Sequence, residues 1–88
     1  MQGPVKLIFA ATAWEDYLYC KQNDKRMVER INKLVKEVLR EPFTGIGKPE
    51  PLKHALSGYW SRRITDEHRM VYRVGGDALL IAQLRYHY

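Results

Sequence analysis

A chain of 88 residues holds one domain, and at this size folding buries only about 60% of the unfolded surface. Hydrophobic residues at 45% and charged residues at 28% exclude collagenous, low-complexity and largely disordered chains. The 15 Lys and Arg against 10 Asp and Glu leave a net charge of +5, which favours an anionic partner: nucleic acid, an acidic protein or an anionic membrane.

Residues 1–4 are set aside as a flexible N-terminus or a cloning remnant, and residues 5–88 are read as a single domain. Residues 5–10, VKLIFA, read as a short strand. Thr12 and Glu15 fit a capping box that opens a helix over 13–21, with Trp14, Tyr17 and Leu18 on one face. Asn23-Asp24 marks the break and the next cap. A second helix over 25–40 repeats Val28, Ile31, Leu34, Val35 and Val38 at helical spacing. Pro42 ends it by pushing Glu41 out of the α region. Its outer face carries Lys25, Arg26, Arg30, Lys33, Lys36 and Arg40. That is either a solvated face with pairs such as Glu29–Lys33 or, through Lys33 and Lys36, a contact with a large polyanion.

Residues 43–58 hold three glycines and two prolines and read as a loop with a short helical turn near Leu52. Strands are expected over 59–64, 68–74 and 78–86, with Gly75-Gly76-Asp77 as a hairpin signal and the last strand buried on both faces. The order β-α-α-β-β-β predicts an α+β domain with two helices packed on a mostly antiparallel, twisted sheet.

Several chemistries are excluded. Cys20 has no cysteine partner, so no internal disulfide forms, and its place on an amphipathic helix predicts a buried thiol rather than a nucleophile. His54, His68 and His87 lack metal-ligand spacing, and no phosphate-binding glycine loop is present. No wholly apolar run, residues 78–82 included, approaches the ~20 residues a membrane span needs. With no signal-peptide pattern either, the chain is expected to be cytoplasmic.

Alternation along the strands groups Tyr59, Ser61 and Arg63 on one face, and Trp60, Arg62 and Ile64 on the other. Arg69, Val71 and Arg73 share a face of the next strand. A carboxylate such as Glu50, an imidazole such as His87 and several arginines are what metal-free RNA cleavage requires. Spacing alone does not show that they meet. Taken singly, each has a plainer role as a solvated loop, strand or terminal residue.

The segments GKPEPLKHALSGYWSRRITDEHRMVYRV (47–74), LLIAQLRYHY (79–88) and KLIFAATAWEDYLYCKQNDKRMVERIN (6–32) resemble the YoeB branch of the RelE toxin superfamily. The resemblance implies a RelE-like microbial RNase fold and a toxin of a bacterial type II toxin–antitoxin system. It implies a ribosome-dependent endoribonuclease that cuts mRNA in the decoding site and needs neither metal nor cofactor. In the family pattern Glu50 of the KPEP loop is the general base and His87 of the terminal HY pair the general acid. Arg69 and Arg63 contact the phosphate, and Lys53 and Tyr88 complete the substrate-binding set. RelE proper lacks the Glu/His pair. The expected partners are the ribosome with mRNA, an acidic antitoxin and a second copy of the chain, with no membrane. The alternative is a module that binds the ribosome or RNA without cutting it.

Overall fold

The structure is a computed structural model and describes residues 4–85. The elements in order are β1 (Lys6–Phe9), α1 (Ala11–Asn23), α2 (Lys25–Arg40), β2 (Glu50–Pro51), a 3-10 turn (His54–Leu56), β3 (Trp60–Arg63), β4 (Arg69–Gly75) and β5 (Ala78–Gln83). They build a five-stranded sheet in the order β1-β5-β4-β3-β2, in which only β1–β5 is parallel. This is the expected α+β architecture, with one addition. The loop before β3 contributes a two-residue edge strand, β2, and its short helical turn, expected near Leu52, spans His54–Leu56.

The second helix takes the expected bounds because both ends are specified locally. The Asp24 carboxylate accepts from the Met27 N–H at 3.1 Å, and Glu41, ahead of Pro42, is extended at φ −140°. No Glu29–Lys33 ion pair forms; Glu37 instead takes Arg40 at 2.9 Å. The first helix departs from expectation. It begins at Ala11 with Ala10 as an N-cap that offers no side-chain hydrogen bond, so Thr12 lies inside the first turn and the Thr12–Glu15 capping box does not form. Its buried positions are Ala13 and Cys20, seven residues apart, whereas Trp14 and Leu18 stay exposed. The thiol of Cys20 lies in the core against the Met27 sulfur, and burial pushes its pKa above the ordinary 9.0.

Both helices cover one face of the sheet. Ile31, Leu34 and Val38 of α2 join Met70, Tyr72, Leu79 and Ile81 in a single core. At 25 cal/mol per Å2, each such side chain contributes about 1.5–3 kcal/mol of burial. β5 has Leu79 and Ile81 fully buried on the helix side, but Leu80 and Ala82 only half-buried on the other, so one face rather than both is sealed. β4 and β5 join through a tight Gly76-Asp77 turn in which Gly76 takes φ +58°, the left-handed conformation that a primed hairpin turn demands at its first central position.

Candidate active site

The sheet's second face carries no helix among the described residues, and the register decides which side chains stand on it. Glu50 pairs with Ser61, Ser61 with Val71, and Arg63 with Arg69. Because side chains alternate, Glu50, Ser61, Arg63, Arg69 and Arg73 all project from this open face. Arg63 and Arg69 sit directly opposite each other, a like-charge pair that is unfavourable unless an anion lies between or beside them. Glu50 supplies one negative charge: its carboxylate meets the Arg69 guanidinium at 3.5 Å. The Arg69 side chain is 17% exposed and that of Glu50 52%, so the pair is open to solvent on its acidic side. Next along this face, the Arg73 guanidinium lies 5.8 Å from the centre of the Tyr59 ring.

Each of these positions has a local cause. Arg69 follows a tight turn in which the Thr65 hydroxyl accepts from the N–H groups of Glu67 and His68 at 3.2 and 3.1 Å. Glu50 follows the long loop from α2, and Arg62 pins that loop. Arg62 is fully buried, and its guanidinium donates to the carbonyls of Glu41, Thr44 and Ile46 at 2.6, 2.8 and 3.0 Å. Its Nε donates to the Tyr72 hydroxyl at 3.1 Å, and that hydroxyl donates to the Pro42 carbonyl. Gly47 passes so close to this side chain that a Cβ there would lie 3.2 Å from that of Arg62 and 3.0 Å from Leu34. Its carbonyl then accepts from the Arg63 N–H at 2.7 Å, and β2 starts three residues later. Lys48 (φ +51°) and His54 (φ +60°) are the two non-glycine residues with left-handed backbone among the described residues. They bracket the segment that holds Glu50 and Lys53, a placement of strain common at functional sites.

Lys53 is exposed and borders, with Glu50, Leu52 and His54, a shallow depression of about 490 Å3. Lys33 and Lys36 are exposed on α2, which covers the opposite face of the sheet, so they form a separate surface. His87 and Tyr88 lie outside the described residues. The sequence-predicted residues Glu50, Arg69, Arg63 and Lys53 therefore come from one strip of the fold formed by β2, β3, β4 and the adjoining turn.

Two residues escaped the sequence reading. Arg62 was grouped with Trp60 and Ile64 by alternation, and that grouping was already the signal that it points into the core. Ser61, on the open face between Glu50 and Val71, is fully buried, and its hydroxyl has no hydrogen-bond partner among the described residues. Alternation gives its face, and the register adds the neighbours that enclose it.

The comparisons with known proteins take in nearly the whole chain. Residues 9–88 match the family model of the YoeB-like toxin of bacterial type II toxin-antitoxin systems. The chain is 62% identical over 84 residues to Toxin YoeB of Escherichia coli K12, covering 96% of this chain and 100% of that one. The solved YoeB/ParE toxin from Agrobacterium tumefaciens superposes with a TM-score of 0.94 at 52% identity, covering 96% of this chain and all of that one. The YoeB chain of Staphylococcus aureus superposes at 0.90 (49% identity) in a structure of its dimer and at 0.88 (48%) in one of its complex with YefM. Each covers 98% of this chain and 100% of that one. With the family model spanning nearly its whole length, this chain belongs to the YoeB-like toxins of bacterial type II toxin–antitoxin systems.

Proposed function

We propose that this toxin is a metal-independent endoribonuclease that cleaves mRNA in the small-subunit decoding site of the ribosome and so stops translation. Glu50 takes the proton from a ribose 2′-hydroxyl, and the freed oxygen attacks the adjacent phosphorus. The 2′-oxygen–phosphorus bond forms as the bond to the 5′-oxygen breaks, and His87 donates the proton that the leaving oxygen needs. Arg69 and Arg63 stabilise the charge that builds on the phosphoryl oxygens. Lys53 and Tyr88 hold the nucleotides on either side.

The observation that carries this reading is the Glu50–Arg69 contact at 3.5 Å on an arginine-bearing face. A base beside a cation suits a substrate whose hydroxyl and phosphate are adjacent atoms of one nucleotide. A protein that only bound RNA or the ribosome would use the arginines without the carboxylate. The half-exposed Glu50 also supports a need for the ribosome: its site is wet in the free protein, and enclosure by ribosome and message would expel that water. The same reading places the toxin in the cytoplasm, held by an acidic antitoxin and paired with a second copy of itself; the Staphylococcus aureus relative is seen both with YefM and as a dimer. No described helix is long and apolar enough to cross a membrane.

The test is to cut a defined message on programmed ribosomes and identify the new ends. A 2′,3′-cyclic phosphate or 3′-phosphate on one fragment and a 5′-hydroxyl on the other are expected, with undiminished cleavage when divalent ions are replaced by polyamines that keep ribosomes assembled. A 5′-phosphate end would overturn the mechanism. Ribosome binding with an intact message would favour the binding module.

A further inference from the structure

We infer that Asp16 and Tyr19 of α1 are positioning residues that fix Leu84 and Arg85, the residues leading into His87, and so act on the reaction through His87. The inference rests on the proposed role of His87.

Among the described residues, sheet pairing of β5 ends at Gln83, before Leu84 and Arg85. The first helix holds them instead. A carboxylate oxygen of Asp16 accepts from the Leu84 N–H at 3.2 Å, across 68 residues of sequence. One turn along the same helix, the Tyr19 ring lies under the Arg85 guanidinium, 3.8 Å from ring centre to Cζ. Gln83 adds a side-chain donor to the Arg85 carbonyl at 2.9 Å, and the Leu84 side chain is fully buried. Two consecutive residues are thus tied down through a backbone N–H, an apolar side chain, a cation and a carbonyl.

The consequence follows from chain geometry. His87 is two residues beyond Arg85, and two extended residues span at most about 7 Å. The reach of the His87 imidazole is therefore set by a short tether whose anchor, Arg85, is held by α1. A proton donor must sit within hydrogen-bond reach of the leaving oxygen, and a displacement of about 1 Å can cost about a hundredfold in rate. The Tyr19 ring is half exposed, with its face turned to the Arg85 guanidinium.

The experiment compares Tyr19→Leu, Tyr19→Phe, Asp16→Ala and His87→Gln in the full-length toxin. It measures cleavage of programmed ribosomes at saturating toxin, ribosome affinity and thermal melting. Tyr19→Leu and Asp16→Ala should each lower the saturating cleavage rate by about tenfold or more, with affinity unchanged. Tyr19→Phe, which keeps a ring face for the guanidinium, should restore the rate. A merely structural role would shift melting without this separation of rate from affinity. Wild-type cleavage by Tyr19→Leu and Asp16→Ala alongside an inactive His87→Gln would overturn the inference and leave the role of His87 standing. So would a Tyr19→Phe variant as slow as Tyr19→Leu. A fully active His87→Gln would overturn the role of His87 and the inference with it.

Discussion

Arg62 and Arg63 are neighbours on β3, yet they belong to different halves of the molecule. Arg62 stands on the helix-covered face, fully buried, with four hydrogen bonds to loop carbonyls and a tyrosine. Arg63 stands on the open face opposite Arg69, beside the strip that carries Glu50. The buried guanidinium faces carbonyl dipoles, and its work is done once the chain is folded. The partly exposed side chains of Arg63 and Arg69 face a like charge across the strand and are set to receive an anion. The difference teaches that one residue type, shifted by a single position on a strand, serves stability on one face and substrate on the other. The two roles are mechanically linked, because the loop that Arg62 pins is the loop that delivers Glu50.

Substitutions on the two faces should therefore separate cleanly. The largest effect is expected from Glu50→Ala, which should lower cleavage by about 10²–10⁴-fold while the protein melts as before. Arg69→Ala should follow at about 10²–10³-fold. Their mutual ion pair is exposed on one side and contributes at most about 1 kcal/mol to folding, so neither loss would be a stability effect. Arg62→Met should do the reverse. It leaves the carbonyls of Glu41, Thr44 and Ile46 without their donor and should cost about 3 kcal/mol in a denaturant titration. Tyr72→Phe removes one donor and one acceptor from the same cluster and should cost about 1–3 kcal/mol. Arg62→Met with full stability and abolished cleavage would show that the two faces are not divided in this way.

The buried face should also carry an alkaline signature. Burial raises the Tyr72 phenol above its ordinary 10.0, against the opposing influence of Arg62, and burial raises the Cys20 thiol above 9.0. Both groups hold their protons more tightly folded than unfolded. Their contribution is complete below the unfolded values and is lost as pH rises through the folded ones. Denaturation midpoints should therefore fall from about pH 9 upward, and the fall should shrink in a Cys20→Ala, Tyr72→Phe double variant. An identical slope in that variant would assign the alkaline loss to other groups.

What the sequence disclosed divides along similar lines. The second helix was legible because Asp24, the apolar repeat and Pro42 each act within a few residues of where they stand. The three long strands and the Gly76 turn were legible for the same reason. The first helix was misread because its true cap, Ala10, bears no signal, while Thr12 and Glu15 mimic one that the chain does not use. β2 was invisible: a two-residue strand that follows one proline and contains another has no period of its own and exists only through its register with Trp60 and Ser61. The meeting of Glu50 with Arg69 was equally beyond spacing, since 19 residues and a loop separate them. The family motifs named both residues, but the register gives the physical reason that they meet.

The smallest effect is expected on the outer face of α2, which neither half of the comparison uses. Lys33 and Lys36 are exposed, and neither forms an ion pair among the described residues. Two readings remain for this surface, solvation and contact with the ribosomal polyanion, and salt distinguishes them. Each Lys that neutralises a phosphate releases a counterion on binding, so binding weakens linearly in log–log coordinates with a slope set by the number of such contacts. If both lysines touch ribosomal RNA, reversing them to Glu should weaken ribosome binding and flatten the slope by about 1.5–2. Stability should move by no more than about 0.5 kcal/mol, as for other exposed substitutions. Cleavage at saturating toxin should be unchanged, because these residues lie on the far side of the sheet from Glu50 and Arg69. An unaltered slope would assign the face to water and confine ribosome recognition to the open face, where Arg63, Arg69 and Arg73 already stand together.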